Sequence, residues 1–125
     1  GRLIDLSSRL NMLAQRLARL YMQAQAGDRS QGLLVDMEQT RKEFATGLQE
    51  LLAAPENTAA SRDALGLVKN QWIFFDGAVQ QLRNKGADGK GPQNVASTSE
   101  RIQETLAAVT EQYVRDFAAS SGKQR

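Results

Sequence analysis

Apolar residues recur along the chain at alternating steps of three and four, in four blocks separated by helix breakers. The first block sets Leu3, Leu6, Leu10, Leu13, Leu17 and Leu20 on one stripe, which predicts a helix over 2–26 ending near Gly27. Asp28 or Ser30 then offers an N-cap for a second helix over 30–53, with Leu34, Met37, Phe44, Leu48 and Leu51 as its seam. Arg41 stands at the one seam position this stripe skips, and Ala54, Pro55 and Glu56 end it.

Asn57 or Ser61 can cap a third helix over 58–84, whose seam of Leu65, Val68, Trp72, Phe75, Val79 and Leu82 misses no step. The β-leaning cluster "WIFF" at 72–75 lies inside that stripe, so Trp72 and Phe75 read as core rather than as ligand-stacking residues. A fourth stripe of Val95, Ile102, Leu106, Val109, Tyr113 and Phe117 predicts a helix over 93–120, with "STSE" at 97–100 as a capping box for a late start. Between the last two helices, "NKGADGKGPQ" at 84–93 reads as the longest loop, and the terminal "SSGKQR" as frayed.

Segments of this length span roughly 33–45 Å as helix, and short connections between equal helices favour antiparallel neighbours. The expected fold is all-α, an antiparallel up-down-up-down four-helix bundle in one domain over 1–125. A chain of this size buries about two thirds of the surface its unfolded form exposes, so it needs no staple.

Composition removes most chemistry. The chain has no cysteine and no histidine. Thiolate nucleophiles, disulfides, sulfur-ligated metals and the commonest general base are therefore all missing. Asp36 with Glu38 and Glu100 with Glu104 are carboxylate pairs on faces that also carry Lys or Arg, the pattern of a solvated surface. The inward Glu-x-x-His pairs of di-iron bundles cannot be built, and "GADGKG" lacks both the strand before and the Lys-Ser/Thr after a phosphate loop. Neither an enzyme nor a cofactor is expected.

Sixteen Lys plus Arg against fourteen Asp plus Glu leave a formal charge of +2, interspersed rather than blocked, which does not suggest nucleic acid. The exception is the first helix, where Arg2, Arg9, Arg16 and Arg19 face only Asp5 before Gly27. A basic amphipathic helix can bind a membrane surface, but four breaker-separated helices of equal length argue for a closed bundle. No apolar run is long enough to span a bilayer and no signal-peptide core precedes the fold, so membrane attachment is expected only through segments absent from this chain. The chain begins already in helical pattern, as a piece of a longer or processed protein would.

If Leu3 and Leu6 are seam positions a and d, Arg2, Arg9 and Arg16 all fall at g, seven residues apart, while Arg19 falls at c. Arginines at such positions usually extend their stems over the core and reach water or a neighbouring helix's carboxylates, and this describes Arg2. Arg9 and Arg16 differ in their company of Ser7, Ser8, Asn11, Ala14, Gln15 and Ala18. Small neighbours let a second helix approach closely, and the planar guanidinium fork then suits a small oxyanion.

The stretch "LIDLSSRLNMLAQRLARLY" at 3–21 resembles the opening helix of PilJ-type and NarX-like sensor domains, the N-terminal family of type IV pili methyl-accepting chemotaxis transducers. In register with that family's I-N-L-A-G-R-Q-R-M-L-S-Q-R-M-A-K pattern, Ile4, Leu6, Arg9, Met12, Leu13, Gln15, Arg16 and Ala18 agree, over about a sixth of the chain. The other helices agree in number, in length and in a tryptophan on the third. The resemblance implies an extracytoplasmic or periplasmic ligand-binding domain of a chemoreceptor or histidine kinase, or a free-standing relative, homodimeric through its first helix. It implies ligand contacts at Arg9, Asn11, Gln15 and Arg16, with nitrate or nitrite as the first candidates. Two departures lower the positive charge there: Asn11 replaces the family's second arginine, and Asp5 replaces an asparagine one turn from Arg9. The alternative expectation is a helical interaction or structural module without a small ligand, consistent with the regular seams of the first and third helices.

Overall fold

A computed structural model describes residues 1–85 and 91–123, without the side chains of residues 83, 85 and 121–123. It contains α1 (Arg2–Gln25), α2 (Gln31–Ala53), α3 (Ala59–Lys85) and α4 (Gly91–Lys123), and no strand among the described residues. The four helices pack against one another around one apolar core. Along α1, Arg2, Arg9 and Arg16 meet Glu50, Glu43 and Asp36 of α2, while Ser7 and Asn11 meet Thr110 and Gln103 of α4. Residue numbers rise on α1 as they fall on both neighbours, a pairing compatible with antiparallel helices.

The core follows the stripes read from the sequence. Leu10, Leu17, Phe44, Leu51, Leu65, Val68, Phe75, Val79, Ile102, Leu106 and Val109 are fully enclosed. Helix α1 approaches α2 and α4 closely, as α3 does α4, whereas α2 and α3 stand further apart. Gly47 permits the α1–α2 approach, because a Cβ added there would run into Leu10 Cδ2. Large rings fill the wider α2–α3 gap. Phe44 stacks on Trp72 with ring centroids 4.3 Å apart, and Trp72 on Phe75 at 6.0 Å.

Helix ends depart from the simplest sequence reading. Ser30 caps α2 as expected, its Oγ accepting from the Leu33 amide at 3.4 Å, and Asp28 accepts from the Ser30 amide at 3.0 Å. That bond holds the Asp28 carboxyl below its ordinary range. The α3 cap is Thr58, whose Oγ1 accepts from the Ser61 amide at 3.2 Å while Ser61 Oγ accepts from the Thr58 amide at 2.9 Å. Asn57, expected as a cap for α3, instead closes α2: its Nδ2 donates to the carbonyls of Leu51 and Ala54 at 2.6 and 3.0 Å. Its Oδ1 accepts from Tyr113 Oη at 2.8 Å, tying α4 to this corner.

Helix α4 starts early, at Gly91, so "STSE" lies inside it and Ser99 Oγ accepts from Gln103 Nε2 at 2.9 Å rather than capping. Pro92 fits the first turn, where its missing N–H would have had no intrahelical partner. The expected loop at 84–93 shrinks accordingly: Asn84 and Lys85 end α3, Gly91 to Gln93 begin α4, and 86–90 lie outside the described residues. At the C-terminus, α4 continues through Lys123 where fraying was expected from Ser120, and 124–125 lie outside the described residues.

Seam assignments also shift: on α1, Leu6 and Leu20 are only partly buried, while Ser7, Ala14 and Tyr21 are enclosed. Leu33 rather than Leu34 is buried, and the α2 seam then passes through Thr40, which leaves Arg41 at the edge of the core instead of in it. Phe117 is 61% exposed, because near the end of α4 little of α1 remains to cover it.

Candidate functional site

Arg9 and Arg16 project from the α2 side of α1. Arg9 Nη2 donates to Glu43 Oε2 at 2.7 Å, so its partner is Glu43 and not the nearby Asp5 that the sequence offered. Arg16 Nε donates to Thr40 Oγ1 at 3.2 Å, and its Nη2 lies 3.8 Å from Asp36 Oδ2. Thr40 is buried and donates to the Asp36 carbonyl at 2.7 Å, which fixes the oxygen that receives Arg16. Both ion pairs are exposed, so solvent and salt screen them.

These arginines share a groove of about 500 Å³ with Met12, Leu13, Gln15 and Arg19 of α1 and with Gln39, Thr40 and Glu43 of α2. Of the four residues predicted as ligand contacts, Arg9, Gln15 and Arg16 converge there. Asn11 does not line it; its Nδ2 donates to the Gln103 carbonyl of α4 at 3.2 Å. Gln15 joins the two sides of α1, its Nε2 donating to Asn11 Oδ1 at 3.4 Å. Asn11 thus ties α1 to the neighbouring helix.

Arg19 was placed off the arginine edge by heptad position, yet it lines the same groove. Residues three and four apart share a helix face, and 12, 15, 16 and 19 follow that spacing. Arg9 and Arg16 are matched by Glu43 and Asp36, and Arg19 has no ion pair among the described residues, so the groove carries one unmatched positive charge. The outward face of α1 carries Asp5, Ser8, Met12, Gln15 and Arg19, all exposed, and overlaps the groove at Met12, Gln15 and Arg19. Met12 is the large apolar residue of that face, at 65% exposure.

A second charged group, built on the single Arg41, lies between α2 and α3. Arg41 forms a two-pronged contact with Asp76, through Nε to Oδ1 and through Nη2 to Oδ2 at 3.3 Å, and its Nη1 donates to Glu38 Oε1 at 3.1 Å. Gln80 Nε2 donates to Asp76 Oδ2 at 3.1 Å. The bond from Asp76, against partial burial, raises the Arg41 guanidinium above its ordinary value and keeps it charged. The skipped seam position was the sequence's signal for this pair, but nothing in the sequence singled out Asp76 as the partner.

No helix among the described residues is long and apolar enough to cross a membrane. Comparison with known proteins finds no matching family model and no significant match among curated proteins or solved structures.

Proposed function

We propose that this chain is an extracytoplasmic sensor domain of the PilJ-type and NarX-like kind, an antiparallel up-down-up-down bundle that dimerises through α1 and binds a small oxyanion beside that interface. The observation that carries the reading is the groove in which Arg9, Arg16 and Arg19 converge on the outward face of α1 with only Glu43 and Asp36 to balance them. Guanidinium forks and the Gln15 amide supply planar donors for a nitrate-sized anion. Met12, central on a face of small and polar side chains, supplies the apolar contact for a second α1.

The role is binding without chemistry or cofactor, in a periplasmic setting. An anion that binds one relative placement of the two α1 helices more tightly shifts their equilibrium toward it, and equal affinity for both would transmit nothing. Asp36 and Glu43 already occupy Arg16 and Arg9, so the anion displaces exposed ion pairs that are individually weak. A helical interaction module without a small ligand is the second reading, favoured by the exposed Phe74 of α3.

A thermal-shift screen of nitrate, nitrite, chloride, sulfate and small carboxylates at constant ionic strength tests the anion site. Saturable stabilisation by one of them, lost in Arg9→Ala and stronger at higher protein concentration, is the expected result. An equal response to every anion, or a specific response that survives Arg9→Ala, would overturn it.

A further inference from the structure

At the Gly1 end of α1, a pocket of about 470 Å³ lies between α1, the turn from α2 to α3, and α4. Leu3, Ile4, Tyr113 and Phe117 form its apolar wall, and Glu56 and Asp116 stand on it as carboxylates. The two acids are placed differently. Glu56 lies 3.4 Å from Arg2, which also reaches Glu50 at 3.9 Å. Asp116 has no ion pair among the described residues and is held by neutral donors, Gln112 Nε2 at 2.9 Å and Thr58 Oγ1 at 3.3 Å. Arg115, beside it in sequence, donates to Gln112 and does not line the pocket. Even with an α-ammonium at Gly1 counted beside Arg2, the carboxylates of Glu50, Glu56 and Asp116 outnumber the cations there. After burial, Glu56 and Asp116 push the Tyr113 hydroxyl up, each by more than Arg2 draws it down, so the local field favours a positive charge.

We propose that this pocket binds an amphipathic organic cation, a primary amine carried on an aromatic or branched aliphatic body. The ammonium pairs with Asp116, and the body lies over Phe117 and Ile4, taking their exposed apolar surface out of water. The donors from Thr58 and Gln112 fix the carboxylate before the ligand arrives, so binding orders little that is not already ordered. A pocket of this volume, mostly apolar with a few polar groups on its wall, suits a small organic molecule. An anion meets Arg2 already flanked by Glu50 and Glu56, and a neutral ligand leaves the charge of Asp116 unmatched. The ring of Phe117, which the end of α1 leaves uncovered, is the one the ligand covers. This pocket shares no lining residue with the groove of Arg9, Arg16 and Arg19 and does not rest on the anion-sensor reading.

Amide NMR titrations of the chain with phenethylamine, phenethyl alcohol, ethylamine and phenylpropionate separate charge from apolar body. Phenethylamine is expected to shift the amides around Ile4, Tyr113 and Phe117 saturably, and the other three probes to bind about tenfold more weakly or worse. Asp116→Asn keeps the shape of the side chain and an acceptor for Thr58, with circular dichroism to confirm folding. It is expected to weaken phenethylamine about tenfold or more while leaving phenethyl alcohol unchanged, whereas Phe117→Ser, at an exposed position, weakens both. Equal binding of the amine and the alcohol, tighter binding of phenylpropionate, or amine binding that survives Asp116→Asn would overturn the proposal, as would the absence of any saturable shift at these amides.

Discussion

Helix α2 faces an arginine-bearing or acid-bearing neighbour on each side, and the two edges use the same chemistry to different ends. On the α1 side, Arg2, Arg9 and Arg16 reach Glu50, Glu43 and Asp36 across side chains that are about half exposed or more. On the α3 side, Arg41 and Asp76 meet with side chains only 24% and 19% exposed, beside the stacked Phe44 and Trp72. Burial decides what each pair does. A screened pair contributes little to stability and can exchange its carboxylate for another anion. A half-buried, two-pronged pair cannot be opened without stranding a charge, so it fixes how α2 and α3 sit across their wider gap. The α1 edge is thus suited to exchange, and the α3 edge to holding the bundle closed.

The largest effect expected from breaking the α2–α3 edge is that of Phe44→Ala, which removes a fully enclosed ring stacked on Trp72 and should cost about 3–5 kcal/mol in urea unfolding. Arg41→Ala, which leaves Asp76 with Gln80 as its side-chain partner among the described residues, should cost about 1–3 kcal/mol. The double change Arg41→Met with Asp76→Leu should recover most of that loss, since a packed apolar pair removes the stranded charge. If the double variant is as unstable as the single one, packing rather than charge explains the site.

Tyr113 sharpens the contrast by way of pH. Burial first, then Glu56 and Asp116, push its hydroxyl from 10.0 up to about 12, with Arg2 opposing. The unfolded chain therefore loses this proton before the folded one does. Stability from the group is complete below about pH 10 and is lost as pH rises toward 12. Tyr113→Phe should flatten this alkaline decline relative to wild type while costing about 1 kcal/mol at neutral pH for the lost bond to Asn57. An identical alkaline slope in both proteins would assign the decline elsewhere. The smallest effects belong to the α1 edge, where Arg9→Ala and Arg16→Ala should each change stability by no more than about 0.5 kcal/mol, less still in high salt.

The seams were legible because burial imposes a helical period on the sequence, as Leu10, Phe44, Phe75 and Ile102 illustrate. Boundaries were less so. Asn57 and Thr58 are both good capping types, and only the three-dimensional corner decides that one closes α2 while the other opens α3. Arg9 and Arg16 stand out in the sequence by their small or hydrogen-bonding neighbours and Gln15 only by the resemblance, whereas Arg19 at heptad position c lies off their edge yet lines the same groove. The roles of Asp76, Thr40 and Glu43 depend on which helices become neighbours, information that no local pattern carries.

The measurement that addresses the central claim most directly is sedimentation equilibrium of the wild-type chain and of Met12→Glu, in nitrate and in chloride of equal ionic strength. The account predicts that nitrate shifts the wild type toward dimer and that Met12→Glu removes the nitrate-dependent part. The same distribution of species in both salts, or a nitrate response that persists in Met12→Glu, would contradict an anion-linked interface on α1.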